Sequence, residues 1–307
     1  MVTSEIPGIR EAHCLDTQGE SRVPKAIQFA HEGDISPPLR RLGQSVLLST
    51  DEIEFFESMQ NNLSSYEKGE AMVAEGDEYR CCFAIRSGWA ISYRMTMSGR
   101  RQILSVHLPG DFIGLHINFH RRAVYTVAAL TKLEVALIEP IRLVEIHQRW
   151  PVLAAGLDWS AVRASNILSE HNVSLGARTA QERILHFYLE LWCRLMLVGE
   201  ASSEGFQMRM TQEQVGNALG LSVVHVNKSL KALTKQGLLD ITGRMIDMPD
   251  VAAAIRMADF DASFLDSFRL ANDSSLRQGS TRDLLETIDQ LTDEMTERRR
   301  ENAAVQG

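Results

Sequence analysis

The chain has 307 residues, of which 44% are hydrophobic and 23% are charged, and its formal net charge is −8. This composition is typical of a globular protein, and it excludes a wholly disordered chain or a collagen-like fibre. No apolar run approaches the roughly 20 residues that span a bilayer, and the first 40 residues lack a signal-peptide core. We therefore expect a cytoplasmic protein with no membrane partner. The four cysteines form no CxxC pair, which argues against a disulfide framework or a metal–sulfur site.

The amino-terminal half of the chain divides into two parts. Glycine, proline, serine and charges mix without a period over residues 1–44, which predicts a flexible leader. A short helical stretch is predicted within residues 45–65. Beyond it, four glycines recur 11 or 12 residues apart, at positions 76, 88, 99 and 110.

Short alternating segments accompany these glycines, at residues 81–85, 90–95, 103–108, 124–130 and 133–138. Evenly spaced strands with regular turn signals are typical of sandwiches and jelly rolls. We therefore predict a jelly-roll-like β-roll over residues 45–150.

The pattern becomes helical after Pro140. A short helix is followed by a long one that begins at Pro151 and ends near Gly176, so residues 151–178 are predicted to form a dimerisation helix and hinge. Its apolar side consists of Leu153, Leu157, Val162, Ile167 and Leu168. A single long helix with such a stripe favours packing against a second copy, and hence a homodimer. The alternative is that the stripe only covers the sheet.

Residues 179–265 have the order of a winged helix-turn-helix. Thr211 and Gln214 form a capping box that opens a short helix, and Ser222 caps a second helix that extends to about Gln236. Between them, the small Gly216 permits close approach of the two helices, and Gly220 suits a left-handed turn. A hairpin with Gly243 at its tip and Arg244 beside it follows where a wing is expected.

The second helix has a local charge opposite to that of the whole chain. Val226, Leu230 and Leu233 share one face, whereas residues 222–239 contain three lysines and no acid. A lysine-rich second helix of this motif is suited to DNA phosphates and base edges. The candidate DNA-binding residues are Thr211, Gln212, Ser222, Val223, Val224, His225, Asn227, Lys228, Lys231, Lys235 and Arg244.

Four segments carry a resemblance to a known family: GRRQILSVHLPGDFIGL (99–115), SLGARTAQERILHFYLEL (174–191), MTQEQVGNALGLSVVHVNKSLKALTKQGLL (210–239) and DFDASFL (259–265). Together they resemble the Crp/Fnr family of bacterial transcription regulators. The resemblance implies an α+β fold with a β-roll effector domain, a long dimerisation helix and a winged helix-turn-helix. It also implies a homodimer that binds a two-fold double-stranded DNA operator and acts on RNA polymerase.

Residues 110–122 correspond to the segment that binds the effector in that family, and we call them the cassette. This cassette departs from that of the cyclic-nucleotide-binding members. Those members hold the ribose with a glutamate after a glycine, and the phosphate with an Arg-Ser pair. Here no glutamate follows Gly114, and Ala123 stands where the hydroxyl residue is expected. We therefore expect no cyclic nucleotide and predict no cofactor, while an unidentified effector remains an alternative. The candidate effector-binding residues are Gly110, Asp111, Gly114, Leu115, Arg121 and Arg122.

Sensor alternatives follow from individual residues. Only Cys14 lies where oxygen-sensing members carry a cysteine cluster, so an iron–sulfur sensor is not expected. His107, His116 and His120 keep a haem ligand open as an alternative, but they make no complete metal site. Strand alternation predicts Cys81 inside and Cys82 outside between two arginines, where a redox-sensing thiolate is an alternative to a plain small residue.

Departures also occur in the second helix and the tail. Val223 and Val224 stand where well-known members carry an arginine and a glutamate, and Lys228 replaces a later arginine, so a different operator sequence is expected. For residues 266–307 the sequence predicts a linker followed by either an amphipathic tail helix or a disordered tail. A jelly-roll metalloenzyme would need a His-x-His pair, which the β region lacks, so an enzyme is not expected. A protein–protein adaptor with a winged-helix fold is a further alternative.

Overall fold

The structure is a computed structural model that describes residues 35–120 and 122–265, together with Gln290 and Glu297. The part of the predicted leader over residues 1–34, the candidate Arg121 and almost all of the predicted linker and tail helix lie outside the described residues. Within the described ranges, the predicted α+β order of β-roll, long helix and winged helix-turn-helix is confirmed.

The first described element corrects the predicted leader. Helix α1 (Pro37–Leu42) has Ser36 as its cap, and Leu39 and Leu42 are buried against the β-roll. The two prolines, which the sequence analysis assigned to the leader, stand in the first turn of this helix, where a fixed φ and a missing N–H are favourable. The predicted flexible leader therefore extends too far, because residues 36–44 belong to the folded body.

The β-roll follows a second helix, α2 (Thr50–Met59). Its strands are β1 (Leu63–Tyr66), β2 (Ala71–Val73), β3 (Cys82–Ser87), β4 (Ala90–Met95), β5 (Arg101–His107), β6 (Phe112–Ile113), β7 (Thr126–Ala129) and β8 (Leu133–Ile138). They form two antiparallel four-stranded sheets, with orders β1-β8-β3-β6 and β2-β7-β4-β5. Strands β1, β2 and β6 were not predicted because they are short and lack a clear alternation of apolar residues.

Strand β3 explains why the cysteine assignment was wrong. Residues 82–85 are all buried, so both faces of this strand are inside the protein and alternation does not separate inside from outside. Cys82 is completely buried, and burial raises the pKa of its thiol. Cys81 is only half-buried, but burial raises its pKa as well. Neither thiol has the exposed, electropositive surroundings that produce a reactive thiolate.

Two helices follow the β-roll, α3 (Pro140–Arg149) and α4 (Pro151–Ala177). Helix α4 divides the predicted apolar stripe between two faces. Leu153, Leu157 and Ile167 are buried within the protein, whereas Val162 is 58% exposed and Leu168 is 44% exposed. The first three therefore belong to the core of one chain.

The carboxy-terminal part contains α5 (Ala180–Met196), β9 (Phe206–Gln207), α6 (Gln212–Leu219), α7 (Val223–Lys235), β10 (Asp240–Thr242), β11 (Met245–Asp247), α8 (Val251–Ala258) and a 3₁₀ turn (Ala262–Leu265). The hairpin β10–β11 gains β9 as a third strand. Residues 180–265 contain the motif that is predicted to bind DNA, and we call them the DNA-binding unit.

The DNA-binding unit shares a hydrophobic core with the β-roll. Trp89, Ile103 and Val106 from the sheet containing β4 and β5 belong to the same buried cluster as α5 and α6. Gln102 Nε2 also donates to the carbonyl of Ala218 in α6, at 3.2 Å. None of the helices in the described ranges is long and apolar enough to cross a lipid bilayer.

Candidate nucleic-acid interface

The helix-turn-helix forms around two glycines. Gly220 ends α6 with φ 66°, in the left-handed region that favours glycine. A Cβ on Gly216 would lie 2.4 Å from the carbonyl oxygen of Leu221, so any side chain there would push the turn away. The amide of Leu221 donates to the carbonyl of Gly216 at 2.9 Å. The two predicted glycine roles are therefore confirmed by the backbone geometry.

Side-chain caps fix where both helices begin. Thr211 Oγ1 accepts from the amide of Gln214 at 3.2 Å, and Gln214 Oε1 accepts from the amide of Thr211 at 2.8 Å. Ser222 Oγ accepts from the amide of His225 at 3.3 Å. These caps satisfy amides at the helix starts, and they determine which residues of α7 face outward.

Helix α7 separates its apolar and polar faces as its period predicts. Val226, Leu230 and Leu233 are buried in the core of the DNA-binding unit. The three lysines are exposed, as are His225, Val223 and Val224, of which Val224 is 74% exposed. Asn227 is half-buried, and its Nδ2 donates to the carbonyl of Val223 at 3.1 Å. The candidate DNA-binding residues of α7 therefore share one surface.

The wing completes this surface. Gly243 has φ 64° at the first position of the two-residue loop between β10 and β11, which brings Arg244 to the tip. A groove of about 520 Å³ separates the wing from α7. Its lining combines buried Met208, Met210, Leu230 and Ile246 with polar or charged Gln212, Lys231, Lys235 and Arg244. Three cations beside one groove suit the negatively charged backbone of a nucleic acid.

The residues of the predicted effector site have different environments. Gly110 and Gly114 both have positive φ, and Leu115 is half-buried. Arg122 is exposed and pairs with Glu78 in an isolated β-bridge. Arg121 lies outside the described residues, so the assignment of these six residues to one effector site stays a prediction.

Asp111 has a different environment from the one predicted. It is 6% exposed and accepts hydrogen bonds from Arg163 Nη2 at 2.7 Å and Arg194 Nη2 at 2.6 Å. Burial by itself would raise the pKa of this carboxyl, but the charges of Arg194, Arg163 and Arg41 hold it well below its usual range. Both oxygens of Asp111 are therefore engaged inside the fold, and its assignment as an effector ligand stays a prediction that these contacts do not favour.

The candidate haem histidines have protein partners or aromatic neighbours. His107 Nε2 lies 2.7 Å from Ser92 Oγ, and burial lowers the pKa of His107 to about 4. His116 packs edge-on against Tyr79 and lies 6.3 Å from His120, measured between ring centroids. Haem binding stays a sequence-based alternative that these contacts do not favour.

Sequence reasoning missed the arginines around Asp111 because Arg41, Arg163 and Arg194 are far apart in the chain. No local period connects a residue of α1 with residues of α4 and α5. One available signal was that Arg163 and Arg194 stand among apolar neighbours in amphipathic helices, where a charged residue needs a buried partner.

Two family models match the chain. The model of the cyclic nucleotide-binding domain matches residues 63–149, and that of the Crp-like helix-turn-helix domain matches residues 182–253. The first covers most of the β-roll and α3, and the second covers the surface formed by α7 and the wing.

The chain is also similar to individual regulators. It is 27% identical over 226 residues to the transcriptional activator protein anr of Pseudomonas aeruginosa, which covers 74% of this chain and 91% of that protein. It is 27% identical over 245 residues to the fumarate and nitrate reduction regulatory protein of Shigella dysenteriae, covering 78% and 96% respectively.

Two solved structures have a similar fold. FixK2 from Bradyrhizobium japonicum superimposes with a TM-score of 0.58 at 27% identity, over 64% of this chain and 96% of that chain. The CRP-family regulator TTHB099 from Thermus thermophilus superimposes with a TM-score of 0.52 at 23% identity, again over 64% and 96%, which is a likeness of fold alone.

Proposed function

The chain belongs to the Crp/Fnr family of DNA-binding transcription regulators, and from this premise we propose how it binds DNA. Two copies bind a two-fold operator, each inserting α7 into the major groove while the wing contacts the backbone. The exposed, acid-free face of α7 carries this proposal, since Lys228 is exposed on it and Lys231 lines the groove together with Arg244 of the wing.

The contacts of α7 divide into two kinds. Val223, Val224 and Lys228 stand in or near the first two turns of the helix, where side chains reach base edges. Valine packs against a thymine methyl group, and lysine donates to guanine O6 and N7. Lys231, Lys235 and Arg244 line the groove beside the wing, which suits phosphate contacts.

Selection from random double-stranded DNA tests the proposal directly. The full-length chain should enrich a two-fold site whose half-sites lie about one helical turn apart. A double substitution, Lys228→Ala with Lys231→Ala, should abolish enrichment without unfolding the protein, because both side chains are exposed. Enrichment of a site without two-fold symmetry, or equal enrichment by the double variant, would contradict the proposal.

The second copy packs on a face of α4 that sequence analysis did not single out. Ala155, Trp159, Val162, Asn166, Ser169 and Val173 follow alternating steps of four and three residues. This spacing is that of a coiled-coil seam. Val162 and Val173 are 58% and 49% exposed in the single chain, which supports their burial against a partner. We call these six residues the α4 seam.

Charged substitutions distinguish the seam from the rest of α4. Val162→Glu and Val173→Glu should give monomers in analytical ultracentrifugation, and these should bind operator DNA poorly. Leu168→Glu is the matched control, since Leu168 is 44% exposed but lies on another side of the helix. A monomeric Leu168→Glu protein with dimeric seam variants would place the contact elsewhere.

We propose that DNA binding does not depend on a cyclic nucleotide. The absence of a glutamate after Gly114 and of a hydroxyl residue at Ala123 supports this, as does the internal use of Asp111. An unpaired polar group of a buried ligand costs about 1–3 kcal/mol, so two lost partners weaken binding by roughly a hundredfold or more. Calorimetry should detect no micromolar binding of cyclic AMP or cyclic GMP, and a saturable signal would refute the proposal.

We further propose that the DNA-bound dimer acts on RNA polymerase and that the chain has no enzymatic activity of its own. Transcription in vitro from a template carrying the selected operator should change when the protein is added. The same template with a scrambled operator is the control. Equal transcription from both templates at saturating protein would contradict an action through the bound operator.

A further inference from the structure

Three arginines converge on one buried carboxylate where α1, α4 and α5 meet. Arg41 is completely buried, while Arg163 and Arg194 are 4% and 3% exposed. Asp111 Oδ1 accepts from Arg163 Nη2 and lies 3.9 Å from Arg41 Nη2, and Oδ2 accepts from Arg194 Nη2. We call Arg41, Arg163, Arg194 and Asp111 the arginine cluster.

The charges in and around this cluster do not cancel. The second acid is buried Glu190, which accepts from Arg194 Nη1 at 2.7 Å through Oε1 and contacts His171 through Oε2. Three guanidinium groups and two carboxylates leave one positive charge in excess, even if His171 is neutral. Arginine is not deprotonated in proteins, so this excess persists at any physiological pH.

The neighbouring groups do not remove the excess charge. Burial, followed by the charge of Arg163, holds the pKa of Arg41 well below its usual range, and Asp111 opposes this only in part. His107 adds no charge at neutral pH, because burial lowers its pKa to about 4. An uncompensated charge in the interior is costly for a folded protein unless a counter-ion accompanies it.

The same side chains have buried N–H groups without a partner among the described residues. These are Nε and Nη1 of Arg41, Nε and Nη1 of Arg163, and Nε of Arg194. Water would satisfy the hydrogen-bonding capacity of these donors, but it would leave the excess charge in place. A bound anion would pair the donors and balance the charge, because it accepts hydrogen bonds from several N–H groups and carries a negative charge.

We propose that the arginine cluster binds one small monovalent anion of the halide type. One negative charge matches the excess, whereas a sulfate or a doubly charged phosphate exceeds it. A small ion is favoured because the three arginine side chains are almost completely buried. Because the arginines come from α1, α4 and α5, the anion helps to hold the DNA-binding unit against the β-roll.

Bromide, which replaces chloride and scatters anomalously, gives the direct test. Crystals of the full-length protein soaked in sodium bromide should show an anomalous peak within hydrogen-bonding distance of the unpaired N–H groups of Arg41 and Arg163. A map in which water alone occupies these donors, with no bromide peak, would overturn the proposal. This test does not require any variant to fold.

Thermal unfolding supplies the functional test. At equal ionic strength, sodium chloride should raise the melting temperature of the wild-type protein above its value in sodium gluconate. The increase should reach about 2–4 °C when chloride exceeds its dissociation constant about fivefold, and it should grow only logarithmically with chloride beyond that. Arg41→Gln removes the excess charge and should abolish the increase.

Arg40→Gln is the matched control for this comparison. Arg40 stands on the same helix, and its Nη1 donates to the carbonyl of Val198 at 2.9 Å. Its variant should keep the chloride response at a lower melting temperature. Equal chloride responses in Arg40→Gln and Arg41→Gln, or none in the wild type, would show that no halide binds at the cluster.

Discussion

The cassette between Gly110 and Arg122 and the recognition helix α7 both resemble segments of one family, yet the fold uses their charged residues in opposite ways. On α7 the three lysines are exposed, and Lys231 and Lys235 line the groove beside the wing. In the cassette, Asp111 faces inward and is bound by arginines from α4 and α5. A shared segment therefore does not by itself say whether a charged side chain serves a ligand or the fold.

The two regions also differ in the desolvation free energy of their charged side chains. An exposed lysine keeps most of its hydration and contributes to binding only when DNA arrives. A buried carboxylate has lost its hydration and depends entirely on its partners. Substitutions should therefore change stability in the cassette and affinity on α7, and the following predictions test this separation.

The largest effect is expected from Asp111→Ala. This change leaves Arg41, Arg163 and Arg194 buried with one carboxylate fewer, and it should lower the free energy of unfolding by about 3–5 kcal/mol. Urea denaturation measures the loss. The exposed Asp240 supplies a control, since Asp240→Ala should change stability by no more than about 0.5 kcal/mol. If Asp111→Ala and Asp240→Ala lower the free energy of unfolding by similar amounts, buried and exposed charges do not differ in their contribution to stability.

Lowering the pH should destabilise the folded protein, because buried Glu190 becomes protonated. Burial by itself would raise the pKa of this carboxyl, but the charges and hydrogen bonds of His171 and Arg194 lower it to about 2. Its contribution, about 3 kcal/mol, is present above the unfolded pKa of about 4.3 and is lost as pH falls toward 2. Denaturation from pH 5 to 2 should show a smaller pH slope for Glu190→Gln.

The exposed Glu204 provides the reference for that experiment. Glu204→Gln should leave the slope between pH 5 and 2 close to that of the wild type, because Glu204 lies at the surface. If Glu190→Gln and Glu204→Gln have the same slope, Glu190 does not titrate as a strongly stabilised carboxylate.

A smaller effect, on affinity alone, is expected from Lys228→Ala. Loss of a base contact should weaken binding to the selected operator by about 1–3 kcal/mol and relax the preference at one position of each half-site. Fluorescence anisotropy on single-base operator variants measures both changes. The melting temperature should not move, and a destabilised variant would mean that α7 also carries a structural charge.

The smallest effect is expected from Lys235→Ala. A phosphate contact carries no sequence information, so operator and non-specific DNA should lose similar affinity, and the salt dependence should decrease by about one counterion per protomer. Titrations at several salt concentrations measure this slope. A loss confined to the operator would instead assign Lys235 to a base edge.

Much of the recognition region followed from the sequence because its signals are local. The capping box of Thr211, the glycines at 216 and 220 and the period of Val226, Leu230 and Leu233 lie within one short stretch. Each constrains neighbouring backbone or a single helix face, and the structure has these features where they were predicted. Residue spacing is sufficient when the partners are three or four positions apart.

Elsewhere the sequence was less decisive, because packing on more than one side hides the period. All of residues 82–85 are buried in β3, so alternation assigned the wrong cysteine to the outside. On α4 the apolar residues belong to two faces, and the sequence did not separate the core face of Leu157 from the exposed face of Val162. Pro37 and Pro38 begin a helix within the segment that was predicted to be a flexible leader.

The sequence by itself determined the order of the domains, the family and the exposed face of α7, because local periods, caps and turns encode them. Only the tertiary structure decided that Asp111 serves the interior and that Arg41, Arg163 and Arg194 meet around it. These residues come from separate elements, and no spacing along the chain encodes their encounter. Long-range packing sets which charges lose their water, and this loss determines whether a charged residue stabilises the fold or remains available to a ligand.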